Sequence, residues 1–168
     1  MLLVPNRSPV ESRSDVELSV ELAGLQLDVP ILSANMDTIT EEEMAIAVAS
    51  AGGLGILHRF ATIERQVEMV EAVSAKGLSV GASLGLDGYL DNARALWEAG
   101  ADLLVLDVAH GHMTRVLEAV RRLRDKFGSE LRLAAGNVVT EEATNDLADV
   151  GVDVVKVGVG PGSMCTTR

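Results

Sequence analysis

The sequence predicts an α/β protein built from about six parallel β/α units, arranged as an incomplete (β/α)8 barrel. Short apolar runs alternate with amphipathic stretches from residue 30 onwards. The runs are apolar at successive positions, as expected of parallel strands buried on both faces. A helix–glycine–strand joint also recurs at 98–102 and 149–153, each time ending in aspartate. These equal units favour a barrel, and an open doubly wound sheet remains the alternative.

The elements follow in order along the chain. Residues 1–29, which hold two prolines and a polar run, are predicted to be irregular. Six strands are predicted after them: Pro30–Ala34, Leu54–Leu57, Leu78–Ala82, Asp102–Leu106, Leu131–Ala135 and Val152–Val157. Five amphipathic helices lie between the strands: Thr40–Ser50, Thr62–Ala75, Asp87–Ala99, Met113–Phe127 and Thr140–Val150.

Helix boundaries have their own signals. Thr40 and Thr140 each precede a pair of glutamates, which predicts that their hydroxyls cap helix N-termini. Glycines at 77, 100, 128 and 151 stand just past predicted helix ends, where a left-handed cap favours glycine.

The number of units is smaller than a whole barrel requires. A complete barrel has eight strands and about 250 residues. The 168 residues reach six strands and end on a glycine loop with no helix after it. We therefore expect one partial barrel domain over 1–168, truncated after the cysteine-bearing loop. A natural six-stranded open fold is the alternative.

Charge and composition exclude several classes of protein. Acidic residues outnumber basic ones by 25 to 14, a net charge of −11, which argues against contact with a nucleic-acid backbone. One cysteine excludes an internal disulfide, and no apolar stretch approaches the length of a membrane span. The expected protein is a cytoplasmic enzyme with no nucleic-acid or membrane partner.

The segment 158–168 carries most of the functional signal. Glycines alternate at 158, 160 and 162 directly after the last predicted strand, and the single cysteine, Cys165, follows. Without Cβ atoms such a loop brings backbone N–H groups close to an anion, and a thiol just past it lies near the bound group. This predicts a phosphate-bearing substrate held beside a nucleophile. The alternatives are a buried structural cysteine and a dinucleotide-binding G-x-G-x-x-G motif, which Ser163 in the third glycine position disfavours.

In barrels the chemistry takes place at the carboxyl ends of the strands. Polar or small residues follow every predicted strand and are expected at one rim: Asn35, Met36, Asp37 and Thr38; His58 and Arg59; Ser83 and Gly85; Asp107, His110, Gly111 and His112; Gly136, Asn137 and Thr140. Lys156 either adds positive charge at this rim or lines the barrel interior. His110 and His112 lack a third ligand nearby, so we expect them to be structural or to contact a cofactor.

Six motifs in this order resemble the IMP dehydrogenase/GMP reductase family: Leu2–Pro5, Ser33–Thr38, Gly52–Ile56, Asp107–His112, Ala135–Val138 and Lys156–Arg168. The resemblance covers nearly the whole chain, and six ordered motifs are far more specific than any one of them. It implies a TIM barrel, which agrees with the β/α units.

The resemblance implies roles for the cysteine loop. Cys165 is expected to attack C2 of the purine and form a covalent adduct, and Thr167 to assist this chemistry. Gly162 and Ser163 are expected to bind the 5′-phosphate of the nucleotide. Backbone carbonyls of Gly160, Gly162 and Cys165 are expected to bind a monovalent cation, usually potassium.

The resemblance also implies roles for residues on other loops. Met36 and Asn137 are expected to line the substrate pocket. Asp107, with the adjacent Val108 and Ala109, is expected to bind the nicotinamide ribose of NADPH or NAD. A homo-oligomer is expected as well, because full-length relatives are commonly tetrameric.

Two reactions of this family compete for the assignment. GMP reductase converts GMP and NADPH to IMP, ammonia and NADP, whereas IMP dehydrogenase converts IMP, NAD and water to XMP and NADH. Asn35, the run His58–Phe60, the pair Val108–Ala109 and the lack of a CBS insertion between the helix at 62–75 and Leu78 resemble GMP reductases. We therefore favour GMP reductase, with IMP dehydrogenase as the alternative. A second alternative is a catalytically incomplete fragment that needs its missing half.

Overall fold

The computed structural model describes Val4 and residues 6–160. A short 3₁₀ turn at Arg13–Asp15 precedes the regular elements. In chain order these are β1 (Val20–Leu22), β2 (Leu25–Leu27), α1 (Glu42–Ser50), β3 (Gly55–Leu57), α2 (Ile63–Ser74), β4 (Val80–Leu84), α3 (Tyr89–Glu98), β5 (Leu103–Asp107), α4 (Thr114–Phe127), β6 (Leu133–Val138), α5 (Glu141–Asp149) and β7 (Val154–Val157). Strands β3 to β7 form one parallel sheet in sequential order, and β1 pairs with β2 in a separate antiparallel hairpin.

The two faces of the parallel sheet are covered by different elements, and this identifies the architecture. The five helices of the described residues all contribute buried side chains to one cluster on one face, which includes Leu104 and Leu106 of β5. Leu103 and Val105, which point the other way because side chains alternate along a strand, pack with leucines of the hairpin. A doubly wound sheet carries helices on both faces and reverses its strand order. The predicted α/β fold is therefore confirmed, as a five-stranded parallel sheet with alternating helices that is consistent with a partial barrel.

The prediction that residues 1–29 are irregular is wrong for the hairpin of β1 and β2. The strands are joined by Ala23 and Gly24, both with left-handed backbone (φ 51° and 78°), as a tight hairpin turn requires. Leu25 and Leu27 are buried against the inner face of the sheet, while the intervening Gln26 is exposed. Each strand has three residues, too few for the alternating pattern to stand out from the polar sequence before it.

The first predicted β/α unit also differs from the structure. The run Pro30–Ala34 makes a single parallel bridge, from Leu32 to Leu54, instead of a strand. Helix α1 begins at Glu42 after Glu41, so Thr40 is not its cap. The Thr40 hydroxyl instead donates to the carbonyl oxygen of Ala34 at 2.6 Å and is fully buried. The Thr40 hydroxyl therefore makes a tertiary hydrogen bond in place of the local cap that the sequence predicts.

The repeated glycine–aspartate joints are confirmed, and the structure shows what they do. Gly100 and Gly151 adopt positive φ of 103° and 98°, which ends the preceding helix. The Asp102 carboxylate then accepts the backbone N–H of Val80 at 2.9 Å. The Asp153 carboxylate does the same for Leu133 at 2.7 Å. Each aspartate therefore satisfies the first N–H of the neighbouring strand, at the amino-terminal edge of the sheet.

Thr140 accepts the N–H of Ala143 at 3.2 Å and caps α5 as predicted. Glycines 77 and 128 also have positive φ at helix ends. Among the described residues, no helix has the length and apolar character needed to cross a membrane.

Candidate active site at the carboxyl ends of the strands

The last inward-facing position of the sheet is polar, in contrast to the apolar layers beneath it. On β5 the inward residues are Leu103, Val105 and then Asp107. On β7 they are Val154 and then Lys156, which lies in the same row as Asp107. Ser83 on β4 also faces inward but lies one layer lower, beside Val105. Because side chains alternate along a strand, these polar residues face inward near the carboxyl ends of the strands, where the active sites of barrels lie.

These side chains form one connected network. Lys156 Nζ donates to Asp107 Oδ1 at 2.6 Å and to Asn35 Oδ1 at 2.9 Å. Asn35 Nδ2 in turn donates to Ser83 Oγ at 2.8 Å. Asn35 and Ser83 are buried. The network therefore joins the ends of β4, β5 and β7 to the loop that follows the Leu32 bridge.

Gly136 makes the ion pair of this network possible. In the register of the sheet it lies directly between Asp107 on β5 and Lys156 on β7. A Cβ at this position would stand 2.4 Å from the carbonyl oxygen of Lys156 and 2.7 Å from its Cβ. Only glycine leaves room for the lysine to cross β6 and reach the aspartate.

Arg59 adds a second cation to the rim. Its Nε donates to the main-chain oxygen of Asp107 at 3.1 Å. The guanidinium lies 4.8 Å from the centre of the Phe60 ring, within the range of a cation–π contact. Phe60 is 59% exposed. The loop after β3 therefore presents a charged and aromatic surface next to the network of Asp107 and Lys156.

His58 holds the loop that carries Arg59. Its Nδ1 accepts the N–H of Phe60 at 3.0 Å, so in the neutral ring the proton is on Nε2, which faces Glu41 Oε1 at 3.4 Å. Gln66 of α2 donates to the carbonyl oxygens of both His58 and Ser83. Sequence reasoning missed Gln66, although a glutamine on the apolar face of an amphipathic helix signals a buried polar contact.

Asn137 lies beside the segment that follows β5. Its N–H donates to the carbonyl oxygen of Val108 at 2.8 Å, and its own carbonyl accepts the N–H of Gly111 at 2.7 Å. Its side-chain Oδ1 is buried and has no hydrogen-bond partner among the described residues. Buried acceptors are nearly always paired, so the missing partner makes Asn137 a candidate ligand contact. Ala109 and His110, next in the segment, are exposed.

Other predicted residues are placed less centrally. Met36 is 49% exposed in a tight turn, and its carbonyl accepts the N–H groups of Ile39 and Thr40. His112 pairs with Asp146 of α5 at 2.7 Å and therefore joins two elements instead of facing the network.

Part of the cysteine segment can be located. Gly158 and Gly160 have positive φ and lead away from β7 at this rim. The predicted site residues Gly162, Ser163, Cys165 and Thr167 lie outside the described residues. Within the described part of the chain, no three His, Cys, Asp or Glu side chains are grouped to hold a metal ion.

An acidic depression of about 660 Å³ lies at the start of α1. Four of its lining residues are carboxylates: Asp37, Glu41, Glu42 and Glu43. Arg65 donates to both oxygens of Glu42 and holds the pKa of that carboxyl below its ordinary value. The remaining negative charge disfavours a phosphate-bearing ligand. The network of Asp107 and Lys156 is therefore the better candidate for chemistry.

Comparisons with known proteins identify relatives of the whole chain. A family model described as the IMP dehydrogenase/GMP reductase domain matches residues 1–168. An inosine-5′-monophosphate dehydrogenase of Borreliella burgdorferi is 35% identical, with 99% of the chain and 54% of that protein covered. A GMP reductase of Streptococcus agalactiae is 36% identical, with 99% and 50% covered. A GMP reductase of Bacillus subtilis is 36% identical, with 99% and 51% covered. The chain thus spans about half the length of the curated relatives it matches.

Proposed function

The chain belongs to the IMP dehydrogenase/GMP reductase family, and we propose that residues 1–168 form part of the catalytic barrel of a GMP reductase. The observation that carries this proposal is the polar network at the carboxyl ends of the strands, next to the point where the glycine–cysteine segment begins. A carboxylate and two cations meet there. Asn137 follows Gly136 in the chain, and its buried Oδ1 has no hydrogen-bond partner among the described residues. Such a set suits a ligand with sugar hydroxyls, N–H groups and phosphates.

The proposed chemistry assigns the covalent step to Cys165. Its thiolate adds to C2 of GMP, the bond between C2 and the exocyclic nitrogen breaks, and ammonia leaves with added protons. When bound, NADPH supplies the hydride that reduces C2, and the C–S bond breaks to release IMP and the thiolate. Thr167 assists proton transfer, and Gly162 with Ser163 holds the 5′-phosphate through backbone amides.

The described residues fit a dinucleotide and a purine. Asp107 Oδ1 is held by Lys156, while Oδ2 makes no hydrogen bond to any described residue. This oxygen is therefore available to the hydroxyls of the nicotinamide ribose, beside Val108 and Ala109. Asn137 Oδ1, which has no partner among the described residues, accepts a donor of the nucleotide. Met36 covers the substrate from the opposite loop.

The alignment lengths support the reductase over the dehydrogenase. The alignment with the Borreliella dehydrogenase runs over 218 positions although the chain has 168 residues, so about fifty positions face a gap. The alignments with the Streptococcus and Bacillus reductases run over 167 and 169 positions. The chain therefore lacks a segment that this dehydrogenase carries.

IMP dehydrogenase remains the second candidate, because a dehydrogenase is about as similar to the chain as the reductases are. The reaction is tested on the protein as its gene encodes it, by the absorbance of the reduced dinucleotide. GMP with NADPH should consume the reduced form, and IMP with NAD should leave it unchanged. Production of NADH from IMP would replace the reductase by the dehydrogenase. Residues 1–168 expressed alone test the fragment alternative, in which they show neither reaction.

Cys165 and the cation site are tested separately. Cys165→Ser should abolish covalent trapping by a nucleotide analogue that reacts at C2, seen as loss of the mass increase in intact-protein mass spectrometry. Trapping at wild-type level would remove Cys165 from its role. Potassium binding by the carbonyls of Gly160, Gly162 and Cys165 should make the rate higher in potassium than in lithium chloride. The tetramer remains a prediction, which sedimentation velocity tests.

A further inference from the structure

We propose that Lys156 is a positioning residue, which sets the Asp107 carboxylate in the orientation that binds the cofactor ribose. The proposal rests on the proposed function, because it concerns the dinucleotide side of the same site. Among the described residues, Lys156 Nζ bonds only Asp107 and Asn35, so the proposal assigns it no step of the reaction at the purine. Its effect is exerted through Asp107.

The ammonium group of Lys156 makes two hydrogen bonds at this rim. Two of its three protons are donated to Asp107 Oδ1 and Asn35 Oδ1. The side chain of Asp107 is 18% exposed and that of Lys156 is 38% exposed. The carboxylate is the more buried partner, and the Nζ–Oδ1 distance of 2.6 Å is that of a charge-assisted hydrogen bond, which is stronger than a neutral one.

The partners of Lys156 are themselves held. Asn35 is locked by its donation to the buried hydroxyl of Ser83, which leaves its oxygen facing the lysine. The main-chain oxygen of Asp107 is bonded by Arg59. Oδ1 and the main-chain oxygen of Asp107 are thus both hydrogen-bonded. Among the described residues, Oδ2 is the acceptor of Asp107 that remains for a ligand. That is the arrangement of a preorganised acceptor.

The position of Lys156 in the chain gives the contact a second consequence. Lys156 is two residues before Gly158, where the glycine–cysteine segment leaves β7. The same ion pair that orients Asp107 therefore ties the cofactor side of the site to the strand that carries the nucleophile. Gly136 permits this tie because it has no side chain between the two residues.

The test compares cofactor and nucleotide in Lys156→Met, Lys156→Arg and wild type, using the full-length protein. Lys156→Met keeps the length of the side chain and removes the charge, while Lys156→Arg restores both donors. Lys126→Met is the matched control, because Lys126 lies on α4 and contacts only Asp91 at 3.8 Å among charged groups of the described residues. The measurements are the Kd of NADPH and of NADH from nicotinamide fluorescence, the KM of each substrate, and covalent trapping at Cys165.

We expect Lys156→Met to weaken the preferred dinucleotide about tenfold to a hundredfold, since a small misplacement of a binding group has effects of this size. The KM of the nucleotide and the trapping at Cys165 should stay close to wild type. Lys156→Arg should recover most of the dinucleotide affinity, and Lys126→Met should match wild type. If Lys156→Met does not fold, Lys156→Gln carries the same comparison.

Three results would overturn the proposal. The first is an unchanged dinucleotide Kd in Lys156→Met. The second is an equal loss of affinity for dinucleotide and nucleotide in Lys156→Met, together with a lower unfolding temperature and no recovery in Lys156→Arg. That result would show that Lys156 only stabilises the fold. The third is a wild-type protein that binds neither dinucleotide. A wild type that binds one but catalyses neither reaction refutes the proposed function, and the Kd comparison still decides the role of Lys156.

Discussion

Removing the carboxylate of Asp153 should destabilise the protein more than removing that of Asp102, although both occur at the same place in the repeated joint. Each accepts the first N–H of a neighbouring strand, from Leu133 or from Val80, and both of those residues are fully buried. Asp153 also pairs with Arg124 Nη2 at 2.5 Å. Alanine at 153 therefore loses a hydrogen bond and an ion pair, while alanine at 102 loses the hydrogen bond alone.

The magnitudes follow from burial. Leaving a buried N–H without an acceptor costs about 1–3 kcal/mol, which is the whole expected effect of Asp102→Ala. The side chain of Arg124 is 16% exposed and that of Asp153 is 35% exposed. The pair is intermediate between a surface and a buried one, so its loss adds roughly 1–2 kcal/mol. Asp153→Ala should therefore cost about 2–5 kcal/mol in total.

Thermal unfolding of the full-length variants measures this difference. At roughly 2–4 °C per kcal/mol for a domain of this size or larger, Asp153→Ala should melt several degrees below Asp102→Ala. Both aspartates lie at the amino ends of their strands, opposite the candidate site. The kcat and KM values of the folded variants should therefore stay at wild-type level, since this end of a barrel serves stability.

Two outcomes would refute the reasoning. If Asp102→Ala melts at or below the temperature of Asp153→Ala, the ion pair with Arg124 adds no stability. If either variant keeps its unfolding temperature but loses activity, then the amino-terminal edge of the sheet takes part in the chemistry. The double variant of Asp153 and Arg124 separates the pair from the hydrogen bond through a thermodynamic cycle.

Three further predictions concern single contacts. Arg65 holds the pKa of Glu42 below its ordinary value of 4.5, so the pair stabilises the fold above that pH, and the contribution is lost as pH falls through the lowered pKa. Glu42→Gln should lower the unfolding temperature near neutral pH and match wild type well below pH 4.5; a constant difference at all pH values would contradict this. Gly136→Ala should push β6 away from β7 and lower the free energy of unfolding by about 1–3 kcal/mol or more. An unchanged unfolding temperature with normal cofactor binding would show that a Cβ at 136 does not clash with Lys156. Thr140→Ala should lower the free energy of unfolding by about 1 kcal/mol, because the α5 cap is lost; urea unfolding measures this. An unchanged free energy of unfolding would show that the cap does not stabilise the protein.

Sequence reasoning was most successful where local chemistry decides the structure. Helices α2 to α5 were predicted within two residues of their observed ends, because their amphipathic pattern agrees with their boundary signals. Agreement at two levels leaves little room for another conformation. The hairpin of β1 and β2 shows the opposite case, since three-residue strands are stabilised by what they cover and not by their own pattern.

Thr40 and Lys156 show why the candidate site was only partly predictable. The signal at Thr40 is that of a helix cap, yet the hydroxyl bonds Ala34. Lys156 was placed at the rim or in the interior, but its partner Asp107 lies 49 residues earlier. Partners at such separations depend on the register of three strands, which no local pattern contains.

The amino-acid order alone determined the β/α repeat, the helix ends, the residues that follow each strand and the family to which the chain belongs. Local propensity, side-chain period and motif spacing carry that information within a few residues of each position. Only the tertiary structure decided that the hairpin covers the inner face, that Gly136 leaves a passage, and that Lys156 joins Asp107 to Asn35. Those contacts exist because sheet register brings distant strand ends together, and register is set by the packing of the whole domain.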